Sequence, residues 1–187
     1  MTHADRTVGI GGSGPLGGDP LPGSGPGGRL RAQGSAFALL PLRLFLGITF
    51  IYAGLDKLTD KAFLDERGPG SLAEQLDNIE KTAAIQGMID LAQKNPQAVG
   101  WMILLGELAV GIGTLLGLLA RVAAAGGALI SLSLWLTVSW AVEPYYYGND
   151  LIYLMAWLPL ILAGAPYLSL DALLRLRRRR YGQQLFG

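Results

Sequence analysis

Apolar positions along the chain follow two rhythms, long unbroken runs and one stretch with helical periodicity. The runs cover about 36–58, 97–119, 122–142 and 149–168. A hydrocarbon core about 30 Å thick takes roughly 20 residues at 1.5 Å each to cross, so each run predicts a membrane-spanning helix. Pro41 falls in the first turns of the first run, where its missing N–H is best tolerated, and Pro159 inside the fourth predicts a kink. Only Ala120 and Arg121 separate the second and third runs, which predicts a tight helical hairpin. Between the first two runs, in residues 59–96, Leu72, Leu76, Ile79, Ala83, Met88 and Leu91 fall near one helical face. That spacing predicts one or two amphipathic helices lying over the others.

The predicted fold is therefore all-α, an integral membrane four-helix bundle over residues 35–172 with an amphipathic helical segment in its first extracytoplasmic loop. A Gly/Pro-rich tail, 1–34, precedes it and a basic tail, 173–187, follows. The first tail buries too little apolar surface to offset chain entropy and is expected to be disordered. The first apolar run begins too late and is too long for a signal peptide, so it is expected to remain as an anchor.

Composition agrees with a nonaqueous solvent. Of 187 residues, 51% are hydrophobic and only 16% charged, against about 25% charged in soluble domains. A net charge of +1 gives no field for nucleic acid. There is no cysteine, and the single histidine, His3, lies in the first tail. Thiol chemistry, iron–sulfur ligation and an imidazole-built metal site are excluded for this chain alone, and no metal is expected. Any redox cofactor has to come from a partner subunit or from a diffusible lipid such as a quinone.

Charge is sorted by side. Arg29, Arg31, Arg121, Arg175 and Arg177 to Arg180 fall on one side of four spans, while the acid-rich 59–96 and the base-free EPYYYGND fall on the other. The positive-inside rule predicts a multi-pass protein of the bacterial inner (plasma) membrane with both termini cytoplasmic. Trp140 and Tyr145 to Tyr147 then join the outer aromatic belt, and the arginine-rich tail meets anionic lipid.

An ionisable side chain inside a bilayer is costly, by about 2.5–3.5 kcal/mol on insertion scales, and usually faces a partner. Arg43 and Glu107 meet that description. Arg43, Gly47, Phe50, Gly54 and Lys57 form one stripe of the first span; Gly100, Glu107, Gly111, Thr114 and Arg121 form one of the second. The stripes are expected to face each other with Arg43 and Glu107 paired. Such a pair fits a quinone head group, a proton relay or an anion; a structural ion pair that fixes helix register, or an Arg43 that snorkels to the cytoplasmic interface, is the favoured reading. A second cluster gathers at the outer mouth: Asp56, Lys57, Asn149, Asp150, Tyr153 and Trp157. Asn149 and Asp150 are expected to cap the fourth helix. Tyr153 and Trp157 suit packing or stacking on a flat ring.

The strings LRLFLGITFIYAGLDKL, GELAVGIGTLLGLLARVAA and NDLIYLMAWLPLILAGAPYLSLD together resemble the DoxX family of four-helix membrane proteins, and within it the DoxD-like branch named for the small subunit of a thiosulfate:quinone oxidoreductase. Arg43, Gly47, Gly54, Lys57, Glu107, Arg121, Ser169 and Asp171 occupy the family's motif positions. GAPYLSLD departs from the Gly-x-Gly turn common before the terminal Ser-x-Asp. The resemblance implies a membrane subunit of a redox-associated, quinone-linked complex with a soluble or membrane partner subunit. A noncatalytic scaffold or maturation factor that recruits a soluble oxidoreductase is the alternative, and a small-solute transporter, completed as a homo-oligomer, a third.

Overall fold

The computed structural model describes residues 37–165 and 168–174, so the expected disorder of the first tail and most of the basic tail lie outside the described residues. Helices α1 (Leu40–Thr59), α2 (Leu72–Ile79), α3 (Gln86–Gln93), α4 (Pro96–Leu116), α5 (Ala120–Thr137) and α6 (Asn149–Ala163) follow in order, with a 3₁₀ turn at Tyr145–Tyr147 before α6. No strand occurs among the described residues.

Local chemistry sets most helix ends. Ser71 caps α2 by accepting from the Glu74 N–H at 3.2 Å. Asn95 caps α4 by accepting from the Ala98 N–H at 3.0 Å, with Pro96 in the first turn. Gly117, at φ 62°, ends α4 in the left-handed conformation that glycine adopts without strain. The third and fourth apolar runs yield shorter helices than their hydropathy predicts. α5 stops at Thr137, and α6 stops where Gly164 turns at φ 68°. The helix hydrogen-bonding pattern continues through Pro159.

α1 packs on α4, α4 on α5 and α5 on α6, with a thinner contact between α1 and α6. The α1–α4 pair is antiparallel and close. A Cβ on Gly47 would lie 2.6 Å from Leu115 and 3.2 Å from the Gly111 carbonyl, and one on Gly54 would lie 2.7 Å from Leu108. The main core joins Leu46 and Phe50 of α1 to Val110, Ala124, Ala128, Trp157 and Leu160.

A separate small core lies beyond it, formed by Phe63, Leu72, Leu76, Ala83 and Ile89. It seats α2 and α3 on the start of α4, where Gly100 faces Leu64, Leu72 and Phe63. The Ala84 N–H also donates to the Leu136 carbonyl at the end of α5. On α3 the buried residue is Ile89, while Leu91 of the expected face is exposed. The break between α2 and α3 resets the helical phase, so one continuous face cannot be drawn across both.

α4 and α5 are long and apolar enough to cross a membrane. α1 has 20 residues but carries Arg43, Asp56 and Lys57, and α6 has 15. Only 33% of the α4 span and 28% of the α5 span are buried within the protein. The outward faces instead expose Phe45, Ile48 and Tyr52 on α1, Met102 and Leu105 on α4, and Met155 and Leu162 on α6. Large apolar side chains exposed on three of the long helices suit a nonaqueous surrounding.

Candidate functional site

Helix register decides which charges meet. With Gly47 opposite Gly111 and Gly54 opposite Leu104 and Leu108, Glu107 stands across from the stretch between those two glycines of α1. Lys57 is one turn past Gly54. Its side chain leans toward the helix N-terminus, as helical Cα–Cβ bonds do, with Nζ 3.4 Å from the Ala53 carbonyl. From there Nζ donates to both carboxylate oxygens of Glu107, at 3.0 and 2.9 Å. The Glu107 side chain is 4% exposed and that of Lys57 25%.

The structure thus corrects the expected pairing of Arg43 with Glu107. Arg43 lies at the opposite end of α1, where its guanidinium donates to the carbonyls of Leu168 at 2.6 Å and Leu115 at 3.5 Å. Leu115 is eight residues beyond Glu107, roughly 12 Å along the helix, which puts the carboxylate out of this contact.

A third charge approaches the Lys57–Glu107 pair. Asp150, in the first turn of α6, is close enough to interact electrostatically with both members, and the exposed Asp56 acts on Glu107. Asp150 does not cap α6 by a side-chain hydrogen bond, nor does Asn149; the N-cap is Gly148. The Asp150 carboxylate instead accepts from the hydroxyl of Ser139, in the turn after α5. The carboxylate still gains from the positive end of the α6 dipole. Asn149 is exposed at the rim.

The aromatic members of the outer cluster separate. Tyr153 is half-buried, edge-on to Phe50 at 6.3 Å and tilted against Phe45 at 6.2 Å. Trp157 is wholly enclosed, edge-on to Phe50 at 5.0 Å and seated over Gly127. A Cβ at Gly127 would stand 2.3 Å from the indole. Trp157 is therefore a packing residue and offers no face to a ligand.

The remaining motif positions build a clasp at the Arg43 end. Asp171 accepts from the N–H groups of Leu119 (2.9 Å) and Ala120 (3.0 Å), capping α5 from a distant part of the chain. Ser169 packs so closely on Gly117 that a Cβ there would lie 2.3 Å away. Arg121 donates to the Leu162 carbonyl near the end of α6 at 3.0 Å. Among the described residues no group of His, Asp and Glu is arranged to hold a metal ion.

Sequence reasoning grouped Lys57 with Asp150 at the outer mouth but did not pair it with Glu107, and it missed Ser139. The signal for Lys57 was its position one turn from the end of α1, within reach of a neighbouring span. Ser139 carried none, since its role depends on where α5 stops.

The DoxX family profile matches residues 38–140. The chain belongs to the DoxX family. No curated protein and no solved structure matches it. Members of the DoxX family are membrane proteins often associated with oxidoreductases, in keeping with the apolar outer faces of α1, α4 and α6. The match takes in Arg43, Lys57 and Glu107, whereas Asp150 and the Ser169–Asp171 clasp lie beyond it.

Proposed function

We propose that this DoxX-family chain is a four-helix integral membrane subunit of a redox-associated complex, of the DoxD-like type, with the Lys57–Glu107 pair as its working site. α1, α4, α5 and α6 cross the bacterial inner membrane with both termini cytoplasmic, which puts α2, α3 and the Lys57–Glu107 end outside. The observation that carries the reading is a buried ion pair joined by a further carboxylate, Asp150, among helices whose other polar contacts serve packing and capping.

A lipid quinone fits the donor set. The Lys57 ammonium suits a quinone carbonyl oxygen, and Glu107 and Asp150 suit a quinol hydroxyl. A bound quinone would supply two-electron chemistry, which the chain has no cysteine or buried imidazole to supply. Lys57 and Asp150 orient the head group, and Glu107 takes or releases a proton. The electron donor is a partner subunit.

A scaffold reading is favoured by a different observation. α2 and α3 form a platform with its own core, and it displays the exposed acids Asp65, Glu66, Glu74, Asp77 and Glu80. On this reading the platform recruits a soluble oxidoreductase and the ion pair only fixes helix register.

Purification in mild detergent, followed by extraction and mass spectrometry, separates the two. Quinone copurifying with the wild type and lost in Glu107→Gln and Lys57→Met is the expected result. Protein partners retained in all three samples, with quinone in none, would overturn the quinone site in favour of the scaffold.

A further inference from the structure

Hydroxyls inside apolar helices commonly bond back to the carbonyl one turn earlier. Ser133 and Thr137 of α5 do so, at 2.6 and 2.7 Å. Thr114 of α4 and Ser131 of α5 do not. Their side-chain oxygens are buried with no hydrogen-bond partner among the described residues, and so is the indole nitrogen of Trp157. The three residues are 2%, 1% and 0% exposed. Leaving such a group unsatisfied costs on the order of 1–3 kcal/mol, so native cores ordinarily satisfy them, with ordered water where protein does not reach.

The three groups are stacked in sequence along the core. Thr114 follows Glu107 by seven residues on the same buried face of α4, about 10 Å farther along. Gly106 meets Ile130 across the α4–α5 contact, which sets the adjacent Ser131 at the level of Glu107. Gly126 meets Val110, and Gly127 lies against the Trp157 ring, so the indole falls between Glu107 and Thr114. Beyond Thr114, Arg43 reaches the Leu115 carbonyl.

We propose that ordered internal water joins Ser131, Trp157 and Thr114 into a polar file that runs along the core from the level of Glu107 toward the Arg43 end of the bundle. The two hydroxyls both donate and accept, and the indole N–H fixes a water oxygen between them, which gives each water the two or more polar partners it needs. The charged groups facing Glu107 are Lys57 and Asp56 of α1 and Asp150 of α6, so the file begins beside the ion pair. It goes beyond the quinone reading, and a dry core and an absent quinone are separate outcomes.

The test uses the full chain in lipid nanodiscs with its four tryptophans labelled at the indole nitrogen, the Trp157 resonance being assigned by its loss in Trp157→Phe. NMR then reads magnetisation transfer from water to each indole N–H. A water cross-peak at Trp157 is expected despite its complete burial, and it is lost in Thr114→Val/Ser131→Ala while the other three indole signals stay in place. The conservative Thr114→Ser keeps it. A Trp157 indole with no water cross-peak in the wild type, or one that persists unchanged in the double variant, overturns the file.

Discussion

The two ends of the α1–α4 pair manage charge in opposite ways. At the Arg43 end the contacts among the described residues run from charged groups to backbone. Arg43 donates to two carbonyls, and Asp171 accepts from two N–H groups at the start of α5. At the Lys57 end charge meets charge, and with Asp150 two carboxylates face one ammonium inside the helices. Backbone partners satisfy a charge without leaving any reactive group over. A side-chain pair with an extra carboxylate leaves one carboxylate more than the ammonium can pair. On the proposed reading the polar residues divide into those that tie the chain together and those fit for chemistry, and each substitution below probes one side of that division.

Removing Lys57 has the largest expected effect. Lys57→Met strands a carboxylate that is almost wholly enclosed, and breaking a buried pair from one side costs about 3–5 kcal/mol. Thermal unfolding in detergent reads this directly. The double variant Lys57→Met/Glu107→Leu removes both charges and recovers most of the loss, because a well-packed apolar pair is close to neutral against a buried ion pair. A double variant that is stable yet retains no quinone places the pair on the chemical side of the division. One that retains quinone places it with the ties.

Gly127 lies between the two ends and belongs to neither. Gly127→Ala drives a methyl into the Trp157 indole, and overpacking of this kind costs about 1–3 kcal/mol. In a double-mutant cycle with Trp157→Phe the smaller ring relieves the clash, so the two losses sum to more than the measured loss of the pair. Simple additivity would mean that the indole does not rest on Gly127.

How much of this was legible in the sequence depends on what each feature required. The helices were legible because apolar runs and 3.6-residue spacing are local. Gly47 and Gly54 fell on the buried stripe for the same reason. Partners across helices were less so. Pairing Glu107 with Arg43 rather than Lys57 was an error of register, about two turns, and the register is set by glycine contacts that no single helix reveals. The Leu115 and Leu168 carbonyls that Arg43 bonds are groups every residue carries, so no residue type announced these two partners. Ile89 was missed because the chain breaks phase between α2 and α3. Asp150 was expected to cap its own helix; it bonds Ser139 because α5 ends five residues sooner than its hydropathy suggests.

The smallest expected effect is at the clasp. α5 begins at a hairpin whose N-cap position, Leu119, has φ 48° and a side chain with no acceptor, so its first N–H groups depend on Asp171. Loss of a helix cap costs about 0.5–2 kcal/mol. Asp171→Ala is expected in that range by thermal unfolding, and Asp171→Asn, which keeps one acceptor oxygen, loses less. Neither change moves a charge near Glu107, so quinone retention should match the wild type in both. If Asp171→Asn instead abolished quinone binding while leaving stability intact, the clasp would be part of the working site and the division between the two ends would fall.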